Sequence, residues 1–370
     1  MKKLIALLAA LMILLAGCAA PAAEPTVTTA ATTEPTTAPT TEPTGPKDRS
    51  ETRLAILLPE EEKWAAAGED LLMLLQNYHY QVEVYYAEGD GREQASQLEG
   101  VLSQGVDGVI IAPVESASLT EVFEAAQELE TPVFAYDRLL MDTEAVGYYV
   151  SFDYRQMGAA IARKLIEASG LDTMSEGTLT VEFFMGSPED SAALMLYLGI
   201  MDQLQPYLEQ GLLVSRSGRT AFEDTCVQDW DSAEVQERLS DYLKEYYKKD
   251  APDILCTVSD GFAAACLEAL TQRNVKTQPL ITGLGGDEDA INAIADGKQL
   301  MSIATDMYQL NEQLVETVDA VMTGKEPQLN DLETCHNNAK VVPAYLCDFE
   351  ILQEMTEQTQ PTESTSTEPA

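Results

Sequence analysis

From Arg53 onward, short apolar runs alternate with amphipathic stretches, and the whole pattern occurs twice. Runs at 53–58, 82–86, 108–111 and 132–135 read as strands. The segments 63–77, 94–104 and 119–128 between them carry apolar residues at helical spacing. A strand that is apolar along its length, not only at alternate positions, must be covered on both faces. A parallel sheet flanked by helices meets that need. The pattern restarts after Asp153, with helices at 156–168, 192–204, 233–246, 262–272 and 289–295 and strands at 179–184, 212–215, 253–257 and 278–282. The expected fold class is α/β, with two doubly wound parallel-sheet lobes. A strand at 300–304, a helix at 308–322 and a last strand at 341–346 lie beyond two complete lobes. They predict that the chain passes between lobes more than once, and several passages make a hinge.

The two ends differ from this pattern. Lys2 and Lys3 precede an apolar stretch from Leu4 to Ala16, which is too short for the ~20 residues of a spanning helix. Leu15-Ala16-Gly17-Cys18 then matches a bacterial lipobox, so residues 1–18 are expected to be a lipoprotein signal peptide with Cys18 the lipidated residue. Secretory cleavage near Ala19 with an unmodified thiol is the alternative. Residues 19–52 are Thr-, Pro-, Ala- and Glu-rich without apolar periodicity and read as a disordered tether, as does the tail 355–370. The expected location is the outer face of the bacterial cytoplasmic membrane, held by the lipid anchor.

Composition narrows the function. With 62 Asp and Glu against 22 Lys and Arg, the chain carries a net charge of −40 and would repel a phosphate backbone, so nucleic acid is not an expected partner. There is no G-x-S-x-G, phosphate loop or G-x-G-x-x-G, and the two histidines are far apart, so no enzyme is expected. No cofactor and no metal site is expected. Asp287-x-Asp289 starts like a calcium loop, but Ile291 and Asn292 break it. Besides Cys18 there are Cys226, Cys256, Cys266, Cys335 and Cys347, an odd number without C-x-x-C. Most are expected to be buried thiols, with Cys335–Cys347 the most plausible disulfide.

In open parallel sheets a ligand sits beyond the carboxyl ends of the strands. The residues there are Lys63-Trp64, Tyr136-Asp137-Arg138, Gly186 to Ser191, Ser259-Asp260 and Gly285-Gly286-Asp287, with Trp230 in a loop before a helix. A carboxylate accepts from sugar hydroxyls, a guanidinium donates to ring and hydroxyl oxygens, and an indole covers the apolar face of a pyranose. Asp137-Arg138 also suits a structural ion pair, the two tryptophans suit a core, and Asp287 suits a helix cap.

Gly105-Val106-Asp107-Gly108-Val109-Ile110-Ile111-Ala112-Pro113 resembles the second β-α-β region of type I periplasmic binding proteins. Tyr136-Asp137-Arg138 followed by Tyr149-Val150-Ser151-Phe152-Asp153 is similar to the branch holding D-xylose-binding and multiple-sugar-binding receptors. Val341-Val342-Pro343-Ala344-Tyr345-Leu346 is similar to the family's closing strand. The resemblance, over roughly residues 53–353, implies two Rossmann-like lobes joined by three crossings, near Ser151–Tyr154, Ala304–Met307 and Cys335–Lys340. The lobes would comprise 53–151 plus 306–337 and 152–305 plus 338–354. It implies sugar contacts at Trp64, Asp137, Arg138, Trp230 and Asp287. Lys63, Ser191, Ser259 and Thr305 stand where the family carries other polar groups, so a modified sugar or short oligosaccharide is expected to bind ahead of simple monosaccharides such as xylose or glucose. The implied role is a monomeric receptor delivering sugar to an ABC permease with a separate ATPase. The alternative is a sensor that reports its bound state to a membrane kinase or chemoreceptor.

Overall fold

The computed structural model describes residues 47–123, 131–248 and 250–353. In the first lobe β1 (Arg53–Leu58), α1 (Glu61–Asn77), β2 (Gln81–Tyr86), α2 (Gly91–Ser103), β3 (Gly108–Ile111), β4 (Val133–Tyr136) and β5 (Val146–Phe152) follow one another. The second lobe opens with α3 (Tyr154–Ser169), β6 (Leu179–Phe184), α4 (Ser191–Glu209), β7 (Leu213–Val214) and the single turn α5 (Phe222–Thr225). It continues through α6 (Ser232–Tyr242), β8 (Ile254–Thr257), α7 (Asp260–Gln272), β9 (Leu280–Gly285), α8 (Glu288–Ala295) and β10 (Met301–Ala304). Then α9 (Met307–Met322) and β11 (Ala344–Cys347) return to the first lobe, and β12 (Glu350–Gln353) ends in the second.

Each lobe has a six-stranded sheet, in the orders β11-β5-β4-β3-β1-β2 and β12-β10-β9-β8-β6-β7. All pairings are parallel except the edge pair β10–β12. The two doubly wound lobes expected from the repeated pattern are therefore present. The strands are covered on both faces. Leu54, Ile56 and Leu58 of β1 join one buried cluster with Leu71 and Leu75 of α1, while Ala55 and Leu57 join another with Leu98 and Leu102 of α2. Each such leucine contributes about 1.5–3 kcal/mol by leaving water. Helix starts are set by aspartates: Asp90, Asp153, Asp190, Asp231, Asp287 and Asp306 each accept a first-turn N–H. Such a cap stabilises by about 1 kcal/mol.

Several expectations are corrected. The third crossing lies at Asp348–Phe349, not near Cys335–Lys340, because β11 pairs in parallel with β5, Ala344 opposite Tyr149. Residues 344–347 thus belong to the first lobe. The first two crossings fall at Asp153 and at Thr305–Asp306, inside the expected ranges. Strands β5 and β12 were not anticipated. The five described cysteines are free thiols, so the Cys335–Cys347 disulfide is absent. Cys335 Sγ instead donates to Asp331 Oδ2, and Cys347 is buried in β11. Residues 19–46 of the tether, the tail and Cys18 lie outside the described residues, and so do residues 124–128 of the helix expected at 119–128.

Candidate functional site

Both sheets reverse their winding order beside their first strand, between β1 and β3 in one lobe and between β6 and β8 in the other. At such a switch point neighbouring loops diverge and leave a crevice beyond the strand ends. A cavity of ≈ 670 Å³ opens there between the lobes. The loop after β1 lines it through Pro59 and Glu60, the first turn of α1 through Lys63, the loop after β3 through Glu115, the loop after β6 through Ser187, Glu189 and Asp190, and Trp230 lines it as well.

Asp137 ends β4 in a left-handed backbone conformation, φ 61°. Its main-chain oxygen accepts from Tyr149 Oη (2.9 Å) and Ser151 Oγ (2.7 Å), hydroxyls of β5 that fix the turn. Its Oδ1 accepts from Tyr154 Oη at 2.5 Å. Tyr154 begins α3, so this bond links the two sides of the first crossing. Only 9% of Asp137 is exposed. Burial raises its carboxyl to about 6, against an opposing hydrogen bond from Tyr154; the charge of Asp190 adds to the rise and Arg138 opposes it.

Arg138 stacks over the Trp64 indole, 5.5 Å from its centroid, and Trp64 in turn meets Tyr136 edge-on at 5.8 Å. One guanidinium nitrogen donates to the Pro113 carbonyl and another pairs with Asp190 Oδ2 at 3.1 Å. The buried Nε has no partner. Asp190, buried at the start of α4, also accepts from Trp230 Nε1 at 3.2 Å. Beside it Ser191 Oγ accepts the Leu139 N–H at 2.9 Å. Arg138 and Leu139 belong to the first lobe and Asp190, Ser191 and Trp230 to the second, so this cluster joins the lobes. Gly186 is required here: a Cβ would lie 2.2 Å from the Trp230 ring.

Of the residues singled out in the sequence, Lys63, Arg138 and Trp230 line the cavity; Trp64, Asp137 and Ser191 do not, Trp64 stacking against Arg138 and the other two being next in the chain to the lining residues Arg138 and Asp190. Lys63 is exposed and pairs with Glu60 at 2.9 Å. Ser259, Asp287 and Thr305 stand at the ends of β8, β9 and β10 and do not line it. The Asp287 carboxylate caps α8 through the Ala290 N–H. Asp260, next to Ser259, is buried and accepts from Gln299 Nε2, Ser302 Oγ and the Gly286 N–H. Sequence reasoning did not single out Tyr154, and it placed Asp190 at the strand-end edge within Gly186–Ser191 without naming it as a contact. Asp190 carried a visible cap signal before a helix, but nothing local marked its meeting with Arg138. Among the described residues no group of three or more His, Cys, Asp or Glu side chains is arranged to hold a metal ion.

The model of the periplasmic binding protein domain matches residues 58–326. The multiple sugar-binding periplasmic receptor ChvE of Rhizobium radiobacter is 30% identical over 303 residues, covering 81% of this chain and 85% of its own. The D-xylose-binding periplasmic protein of Escherichia coli (strain K12) is 27% identical over 286 residues, 77% of this chain and 81% of its own. A crystal structure of an ABC transporter solute binding protein from Clostridium phytofermentans with bound β-D-glucose superposes with a TM-score of 0.77 at 33% identity, covering 82% of this chain and 94% of that one. The repeated fold, the crevice at the paired switch points and these likenesses agree: the chain belongs to the periplasmic binding protein family, among its sugar-binding receptors.

Proposed function

We propose that the chain captures a carbohydrate outside the cytoplasmic membrane, tethered by a lipid on Cys18, and delivers it to an ABC permease driven by a separate ATPase. The observation that carries this reading is the interlobe cavity, lined by Arg138 of the first lobe and Trp230 of the second, with Trp64 stacked behind Arg138 and Asp137 and Ser191 next in the chain to the lining residues Arg138 and Asp190. A carboxylate and a guanidinium adjacent in sequence offer a sugar an acceptor and a donor together, and the indoles offer apolar faces. Lys63 stands at the mouth. Ser259, Asp287 and Thr305 extend the polar edge along the next strand ends of the second lobe. Ser191 and Ala192 are short side chains and leave room for a substituted sugar or short oligosaccharide. Among the described residues no helix is long and apolar enough to cross a membrane, which suits a chain held by an anchor.

Calorimetry of the purified full chain against D-glucose, D-xylose, substituted sugars and disaccharides tests the reading. At least one should bind, and Asp137→Ala should weaken it about tenfold to a hundredfold, since a hydrogen bond to a charged group is worth ~1.5–3 kcal/mol. Failure of every sugar in the panel would remove the carbohydrate reading. Unchanged affinity in a folded Asp137→Ala protein would make Asp137 a structural residue only.

A further inference from the structure

Trp230 lines the cavity in a backbone conformation that its own residue type disfavours. Asp229 and Trp230 are consecutive left-handed residues, with φ 52° and 56°. An L-residue crowds its Cβ against the following carbonyl there, and a side chain as bulky as an indole makes the conformation an outlier. Such a turn persists only where its surroundings hold it, and strain of this kind gathers at ligand clamps. The indole has a prepared seat. It fills the space that a Cβ on Gly186 would need, its Nε1 donates to Asp190, and its ring meets Phe262 of α7 at 5.8 Å, tilted by 32°. The seat is reached only if the loop that carries Trp230 keeps its course.

That loop leaves α5 at Cys226 and ends at Asp231, whose carboxylate caps α6. Its start is stitched to the end of β6: the Met185 N–H donates to the Thr225 carbonyl at 2.9 Å, and the Val227 N–H is shared between the carbonyls of Met185 and Gly186 at 3.1 and 3.2 Å. One side chain ties the start of the loop to the helix at its end. Arg238 lies on α6 and reaches back, donating from Nη1 to the Thr225 carbonyl at 3.3 Å and from Nη2 to the Cys226 carbonyl at 2.7 Å, and pairing with Glu234. Its side chain is 14% exposed, and it does not line the cavity. A planar guanidinium serves adjacent carbonyls and a carboxylate together, whereas an ammonium is a point charge without that fork.

Resting on the carbohydrate reading above, we propose that Arg238 is a positioning residue for sugar binding: it closes the base of the loop 226–231, holds the Asp229–Trp230 turn left-handed and so fixes the indole on the cavity wall before a sugar arrives. It acts through Trp230 and touches no ligand itself. A rigid aromatic face gives its full contact to the ring that meets it. A loop that must first be ordered gives up part of that contact to its own lost freedom.

The chain has two tryptophans, so Trp64→Phe leaves Trp230 as the single indole reporter. In that background Arg238→Met and Arg238→Lys should each shift the emission to longer wavelength and raise its quenching by acrylamide, at a temperature where circular dichroism shows the protein folded. Arg238→Lys keeps the charge and most of the stem, and it decides the matter where Arg238→Met does not fold. A residue that merely stabilised the lobe would lower the melting point and leave the emission of the folded state alone. Unchanged emission and quenching in folded Arg238→Lys would therefore overturn the proposal. Calorimetry on the full chain with Trp64 intact, against D-glucose, D-xylose and cellobiose, reads the consequence. Each sugar that the unaltered chain binds should bind Arg238→Lys about tenfold more weakly, the worth of a well-placed aromatic face. Equal affinity in the two proteins would also overturn it. If the unaltered chain binds none of these sugars and the wider panel fails too, the carbohydrate reading falls and the role of Arg238 in binding falls with it, a failure seen without any variant.

Discussion

Asp137 is a carboxylate placed where water cannot solvate it, and its acidity records that. Burial lifts the group to about 6 from an ordinary 3.8. Because the folded value is the higher one, the proton binds the folded state more tightly. The associated stabilisation is complete below about 4 and is lost as pH rises through about 6. Asp137→Asn removes this titration. Urea unfolding at a series of pH values should therefore show the wild type losing on the order of 2 kcal/mol relative to Asp137→Asn between the two ends of that window. Parallel curves for the two proteins would place the Asp137 acidity in the ordinary range. The site depends on such burial, and burial is what sequence hides. Asp137, Arg138 and Trp64 were legible because they follow strands, and Trp230 because an indole stood in a loop before a helix. The partnership of Arg138 with Asp190 was not, because 52 positions separate the two and only the approach of the lobes brings them within 3.1 Å. Asp287 was ambiguous between cap and ligand contact for a similar reason: the same carboxylate at the same position suits both, and its Ala290 bond is visible only in three dimensions.

At the scale of elements, α3 and α4 touch backbone to backbone. A Cβ on Gly158 would sit 2.1 Å from the Leu196 carbonyl oxygen, and one on Gly199 would sit 2.0 Å from that of Arg155. Neither helix can accept even a methyl group at the crossing, so Gly199→Ala must push the pair apart. The expected cost is about 1–3 kcal/mol in urea unfolding, typical of overpacking. An unchanged midpoint would mean the helices separate freely. The elements most legible in the sequence were those with the plainest physical cause. β1, β3 and β6 are apolar runs buried on both faces, and their predicted ends match residue for residue. β5 was missed because Gly147, the paired tyrosines and Ser151 dilute its apolar character, although five of its seven residues are buried. β12, with Glu350, Ile351 and Gln353 exposed, is held by pairing with β10 and has no hydrophobic pattern to read.

For the whole molecule, three crossings at Asp153, Thr305–Asp306 and Asp348–Phe349 join the lobes as a hinge would, and Arg138–Asp190 and Leu139–Ser191 are further contacts between them. Ligand that touches both lobes favours their approach by its extra contacts with the closed form. X-ray scattering of the full chain should show a smaller radius of gyration with a saturating sugar that calorimetry has shown to bind. An unchanged radius under those conditions would count against a hinge. The position of the third crossing was misjudged because Val341 to Leu346 reads as a strand without any sign of which sheet receives it. The partner, β5, was itself unrecognised.

The late return of the chain also governs how the molecule comes into being. β11 is the last strand of one sheet and β12 the last of the other, and only Asp348 and Phe349 separate them. A chain made from its N-terminus therefore finishes neither lobe early. β5 and β10 each wait with a bare edge until residues 344–353 arrive, then both are covered together. A premature stop shortly before Ala344 would spare nearly every side chain at the ligand cleft. It would still leave two open strand edges per molecule, the kind of surface on which chains stack into aggregates. Such a stop would be felt first in yield and quality control, well before any question of affinity arose.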